Sequence, residues 1–346
     1  MRHSAATHSF AVLREVLHHT PSEKTWRELW QFLASWPKGR QFSLALDYCQ
    51  EHMTHWSDKL RRKTEMTLQH PCNVLVRSLE YSGDNVGPLT PRQWKKLAAA
   101  RTLGQVKLLD LSRHDFNERE ARILSQSTVF NNVRSLNLSE NSIHENVLLP
   151  LLDSPLFEGL EKLDLYDNQI GTGGFRALVC SPTLRKLRSL FVGANTLEAP
   201  DVCALADVNA IQNLESLSLH NNKLGDEGVR TLAYSESLEG LQALYLGMNE
   251  IEGWGLQLLA RSPVMQGMKV LYLFDNLLED ESIEALASSP LVSSLETLDL
   301  GGNEITDEGA EALLNSSTLT SLTSLNLRNT QVSDAFLQKY AYRSLW

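Results

Sequence analysis

Apolar and polar positions along most of this chain return with one fixed period. From about residue 106 to 336 the unit L-x-x-L-x-L-x-x-N recurs every 27 residues. Leu214-x-x-Leu217-x-Leu219-x-x-Asn222 and Leu295-x-x-Leu298-x-Leu300-x-x-Asn303 are two instances. Asn141, Asn168, Asn195, Asn222, Asn249, Asn276 and Asn303 carry the spacing, and one further step either way lands on His114 and Thr330. The second and third apolar positions alternate with polar ones, which is strand period: Leu298 and Leu300 turn inward and Asp299 outward. The asparagine is predicted to be buried, hydrogen-bonding backbone where the chain leaves the strand.

The second half of each unit reads x-[IL]-x-x-x-G-x-x-x-L, as in Asn222-Lys-Leu224-Gly-Asp-Glu-Gly228-Val-Arg-Thr-Leu232. The segment from Asp307 to Leu314 is predicted helical, with Ala312 and Leu313 inward and its early acids suiting the helix dipole. Ser-Pro pairs at 154–155, 181–182, 262–263 and 289–290 are expected to end helices before the next strand. One unit cannot bury its own leucines, so units must stack.

This unit resembles the leucine-rich-repeat family, and its second half is similar to the ribonuclease-inhibitor subclass. The resemblance covers about residues 106–336. It implies an α/β horseshoe solenoid, with a parallel β-sheet on the concave face and helices on the convex face. Family members share a scaffold and not a chemistry. Three places depart from the pattern. Repeat 1 begins at Val106 with His114 in the asparagine slot. Repeat 4 has Val192 for a leucine and a helix opening at Pro200-Asp201. Upstream, Val76-x-x-Leu79-x-Tyr81-x-x-Asp84 is a degenerate unit. The expected organisation is a helical N-terminal cap domain (1–73), a degenerate capping repeat (74–105) with a helix over 92–101, and nine 27-residue repeats with a C-terminal cap (106–346). Tyr342, Leu345 and Trp346 are expected to cover the last leucine layer.

Residues 9–70 lack the repeat and read as helical. Trp26, Leu29, Trp30 and Leu33 form one i, i+3, i+4, i+7 stripe, and Phe42, Ala45, Leu46 and Cys49 form another, split at Trp36-Pro37-Lys38-Gly39. This segment is expected to cap the array, with a docking module for a second partner as the other reading.

Composition narrows the function classes. The chain of 346 residues is 42% hydrophobic and 21% charged, as soluble globular proteins are. It has no apolar run of the roughly 20 residues a membrane helix needs. The absence of an apolar stretch before Glu15 and four unpaired-looking cysteines (Cys49, Cys72, Cys180, Cys203) imply a cytoplasmic protein with reduced thiols. Residues 1–75 carry a net charge of +3 and the remainder −13, which disfavours nucleic acid along the repeats. The run Lys59, Arg61, Arg62, Lys63 is expected to be a solvated helix end, with an anionic partner, nucleic acid included, as the alternative.

Little points to catalysis. Gly171-Thr-Gly173-Gly174 has the look of a dinucleotide loop, but Arg176 stands where a third glycine belongs and other repeats hold glycines in the same slots. Cys49, His52 and His55, with His70 and Cys72, lack the paired spacing of a zinc site. Asp110, Asp164 and Asp299 lie on strands too far apart to act as a catalytic pair, at ~4.8 Å per strand. No enzyme activity, cofactor or metal is expected.

The resemblance places outward strand positions on the concave face. The residue between the second and third leucines runs Asp110, Asn137, Asp164, Phe191, Ser218, Tyr245, Tyr272, Asp299, Asn326. Two places on, the series is Ser112, Ser139, Tyr166, Gly193, His220, Gly247, Phe274, Gly301, Arg328. Five of these eighteen are Phe or Tyr in a chain only 7% aromatic, and all five fall in repeats 3–7. Met248, Asp167 and Asp275 lie in the next column. Exposed aromatics usually mark interfaces, although rings on neighbouring strands also pack on one another. The expected site is therefore Asp164, Tyr166, Asp167, Phe191, His220, Tyr245, Met248, Tyr272, Phe274, Asp275 and Asp299. Its acidic rim suits a protein partner with a basic and apolar epitope. The expected function is a protein-binding scaffold or adaptor. A regulator of an enzyme (GTPase-activating or inhibitor-type) is second, and nucleic-acid contact through the basic N-terminal segment third.

Overall fold

The structure, a computed structural model, describes residues 2–65, 67–207 and 211–340. Tyr342, Leu345 and Trp346 lie outside these residues. The chain forms two compact units: residues 1–138 with 154–160, and residues 139–153 with 161–346.

The first unit opens with three helices, Arg2–His18, Glu23–Ser35 and Arg40–His52. Ser22 caps the second through its hydroxyl, and both predicted stripes turn inward, Trp30 alone staying half-exposed. The helical reading of 9–70 is corrected at its end. Arg62–Lys63 is a short strand, β1, paired in parallel with β2 (Ser78–Glu80); β2 pairs with β3 (Leu108–Asp110), and β3 with β4 (Ser135–Asn137). Two residues of alternating burial are too short to register as a sequence period. The Trp26 indole donates to the Arg62 carbonyl at 2.7 Å, tying the helical segment to β1. Val76, Leu79 and Tyr81 are fully buried, as the degenerate unit predicts. The helix expected at 92–101 spans Pro91–Ala98, held by a Thr90/Gln93 capping box, and a 3-10 turn Arg101–Leu103 follows. His114 fills its asparagine slot by pairing its Nε2 with the Tyr81 carbonyl.

The second unit holds seven parallel strands in chain order: β5 (Lys162–Asp164), β6 (Ser189–Phe191), β7 (Ser216–Ser218), β8 (Ala243–Tyr245), β9 (Val270–Tyr272), β10 (Thr297–Asp299) and β11 (Ser324–Asn326). Neighbours pair without a register slip, Leu190 beside Leu217, Leu217 beside Leu244 and onward. A helix lies between successive strands, as in Gly225–Ala233, Gly253–Ala260 and Asp280–Ser288. In the Asp307–Leu314 helix the inward face is Ala310, Leu313 and Leu314, while Ala312 is half-buried, one correction to the predicted face. The repeat-4 helix is only Ala199–Val202, with Pro200 in its first turn, and a 3-10 turn Cys203–Asp207 follows in place of further helix.

Two polar ladders lock the repeats. Asn276 Nδ2 donates to Leu273 O at 2.9 Å and to Leu246 O of the preceding repeat at 3.1 Å; its Oδ1 accepts from Asn249 N and Ile251 N. One repeat earlier Asn249 makes the same two donations and accepts from Leu224 N, and two repeats earlier Asn222 repeats the whole pattern. The second ladder is serine. Ser235, Ser262, Ser289 and Ser316 each donate to a carbonyl near the end of the previous repeat's helical segment, at 2.5 Å. The prolines after Ser181, Ser262 and Ser289 open 3-10 turns there, beyond ending a helix.

Candidate protein-binding face

On the sheet face opposite the helices, strand register places Asp164, Phe191, Ser218, Tyr245, Tyr272 and Asp299 side by side in one row of the second unit. Three aromatics thus lie between two carboxylates, across five strand steps of ~4.8 Å. The Tyr245 and Tyr272 rings meet edge to face at 5.0 Å, and Phe191 lies 6.4 Å from Tyr245. Burial and the neighbouring Tyr272 push the Tyr245 phenol above its ordinary pKa, while a hydrogen bond from Ser216 opposes the shift.

The next outward column works differently. It alternates bulky and small residues: Tyr166, Gly193, His220, Gly247, Phe274, Gly301, Arg328. Tyr166 and His220 stack at 5.0 Å and 13°. A side chain on Gly193 would lie 2.7 Å from His220 Nδ1, and one on Gly247 2.5 Å from the Phe274 ring. Each glycine therefore gives room to the ring of the following repeat. These rings are half-buried, so part of the aromatic signal is internal packing. His220 Nδ1 pairs with Ser218 Oγ at 2.8 Å, and burial holds its pKa low against the opposing pull of Asp164.

The third column sits at a fixed kink. Asp167, Met248 and Asp275 have φ of 51°, 57° and 51°, the left-handed region, immediately before each ladder asparagine. Gly302 takes this slot in a later repeat at φ 70°. All three side chains are turned out to solvent, Met248 at 44% exposure.

The carboxylates divide in role. Asp164 accepts from Tyr166 N at 3.1 Å, and Asp299 accepts from Gly301 N and from the Asn326 amide at 2.8 Å, so both also brace the strand ends. Asp167 and Asp275 are the exposed acids. Lys162, which sequence reasoning passed over, lies with its ammonium 4.6 Å from the Phe191 ring centre. The signal was available, because Lys162 precedes Asp164 by two and shares its face. The second unit as a whole holds 12 Lys/Arg against 28 Asp/Glu, a net of −16.

The remaining sequence candidates resolve into packing. Gly173 and Gly174 abut Glu145 of the preceding repeat, where a side chain on Gly173 would lie 2.2 Å from the carboxylate, and Gly171 has φ 61°. Cys49 and Cys72 are buried, and burial pushes both thiols up to about 12. His52 pairs with the Tyr48 carbonyl and stacks on its ring. Among the described residues no three His, Cys, Asp or Glu gather in a metal-binding arrangement. The run at 59–63 is not a solvated helix end: Arg61 is 4% and Lys63 6% exposed, and Arg62 is paired with Glu23 and Glu80. Alternation in β1 sends these cations to different surroundings.

Comparison with known proteins agrees with the repeat unit. Residues 293–339 match a model described as leucine-rich repeats in two copies, and residues 210–233 match a leucine-rich-repeat model. The chain contains leucine-rich repeats, and the fold is that of a leucine-rich-repeat solenoid with a parallel sheet. Among solved structures, a chain of the mouse RP105/MD-1 complex is 19% identical with a TM-score of 0.48, covering 80% of this chain and 50% of that one. This chain thus matches half the length of that protein. An internalin from Listeria monocytogenes is 20% identical with a TM-score of 0.43, covering 76% and 77%. No curated protein sequence is significantly similar to the chain. No described helix is long and apolar enough to cross a membrane.

Proposed function

We propose that this chain is a non-enzymatic protein-binding scaffold of the ribonuclease-inhibitor-like subclass. An α-helix of eight or nine residues in most repeats supports that subclass assignment. The observation that carries the function is the row Phe191, Tyr245 and Tyr272 between Asp164 and Asp299, with Met248 and Asp275 standing out beside it. Half-exposed rings on rigid strands supply apolar anchors at low entropy cost, and interface energy concentrates in such residues. The acidic balance of this unit favours an epitope carrying Lys or Arg next to apolar side chains.

Affinity capture from the native host lysate, with wild type beside a Phe191/Tyr245/Tyr272 triple-alanine variant, tests the reading. A protein held by the wild type and lost by a folded variant is the expected result. Equal capture by both makes the rings packing elements and removes the proposed site.

A further inference from the structure

A groove of about 830 Å³ in the first unit runs between the loop 67–71 and the Pro91–Ala98 helix. Lys38, Arg92, Lys95, Lys96 and Arg101 line it, together with His70, and no carboxylate does. All five Lys/Arg side chains are exposed, and none takes part in an ion pair among the described residues. Elsewhere in the same unit Arg62, Lys107, Arg113 and Arg122 each face a carboxylate. The fold explains part of this arrangement. Trp94 and Leu97 turn the apolar side of the helix inward, leaving Arg92, Lys95 and Lys96 on its outer side, and late lysines suit the helix dipole. It does not explain why Lys38, from the turn between two other helices, and Arg101 join them without a counter-charge. Like charges held together repel, and a bound anion relieves that repulsion.

We propose that this groove binds an anionic segment of a partner polypeptide, with clustered carboxylates or phosphorylated side chains facing these cations. A single small phosphate fits poorly, because the cations are spread over an open groove and are not focused on one buried point. Nucleic acid is disfavoured on two grounds. Apart from His70 the lining offers no ring for base stacking. The chain as a whole carries −10, which repels a long polyanion but admits a short segment. This site lies in a different unit from the aromatic row and does not rest on the function proposed for it.

Fluorescence anisotropy with the full chain tests the groove. The probes are a labelled Glu-rich peptide of about twelve residues, spanning roughly 40 Å when extended at ~3.4 Å per residue, its phosphoserine counterpart, and a single-stranded oligonucleotide of equal charge. The wild type is expected to saturate with at least one peptide at about 50 mM salt and to weaken steeply by about 200 mM. Whichever peptide binds tighter identifies the source of the anion. Lys95→Glu with Lys96→Glu is expected to weaken binding at least about tenfold, whereas Lys24→Glu with Lys59→Glu, the same charge change elsewhere in the unit, stays within about twofold. If the first pair melts early, Arg92→Gln with Arg101→Gln takes its place. The triple-alanine variant of the aromatic row should bind the peptides as the wild type does. No saturation by either peptide, equal loss in both charge-reversed variants, or tighter binding of the oligonucleotide would each overturn the proposal.

Discussion

Tyr166 and His220 belong to repeats two strands apart, yet their rings stack with centroids 5.0 Å apart. Gly193 in the repeat between them makes this possible, since any side chain there would strike the His220 ring and carbonyl. Gly247 serves Phe274 in the same way, except that its clash is with ring atoms alone. Gly247→Ala is therefore expected to lower stability by about 1–3 kcal/mol through overpacking. In the Gly247→Ala/Phe274→Ala double variant much of that loss should disappear, so a double-mutant cycle by urea unfolding gives a strongly non-additive result. Additive losses would show that the ring does not rest over Gly247.

The ladder asparagines are expected to be the least replaceable polar residues. Asn276→Leu keeps the volume but strands the Asn249 and Ile251 amides, both of which donate to its Oδ1 and lie in the buried interior. At about 1–3 kcal/mol for each unsatisfied group, a loss of about 3 kcal/mol or more is predicted from denaturant midpoints.

Met248 is held at φ 57°, where a side chain costs about 1 kcal/mol and glycine almost nothing. Met248→Gly, copying Gly302, should leave the melting temperature unchanged or raise it by a few degrees. Partner capture should fall in the same variant if the exposed thioether contributes to the interface. The two readouts thus move apart, which a purely structural methionine would not allow.

Acid should destabilise the protein through three histidines. Burial lowers the folded-state pKa of His70, His114 and His220 below the ordinary 6.5, so the unfolded chain binds protons first as pH falls. The stability from keeping them neutral is present above about 6.5 and is lost as pH drops through their lowered values. His114→Asn restores the residue that other repeats use in this slot and should flatten that acid limb while keeping the fold. At the other end, Cys49 and Cys72 hold their protons to about 12, so stability should fall as pH rises above 9. Melting temperatures from pH 5 to 10 check both limbs.

The fold was legible because the 27-residue period couples strand alternation, a buried asparagine and a helix in one short unit. The serine ladder was legible as well: Ser127, Ser154, Ser181, Ser235, Ser262, Ser289 and Ser316 share the same period, though only the Ser-Pro pairs stood out. Local patterns of this kind are written in the sequence because each repeat solves the same packing problem. By contrast, strand β1, the scattering of Arg61, Arg62 and Lys63, and the gathering of Lys38 with Arg92 to Arg101 were decided by tertiary structure. These depend on which segments of the non-repeating region meet, and no period records that. The aromatic columns fall between the two cases. Their positions on the outward face follow from alternation alone, but only packing decided that His220 and Phe274 lean over glycines, that Tyr166 stacks on His220, and that Tyr245 and Tyr272 meet on adjacent strands.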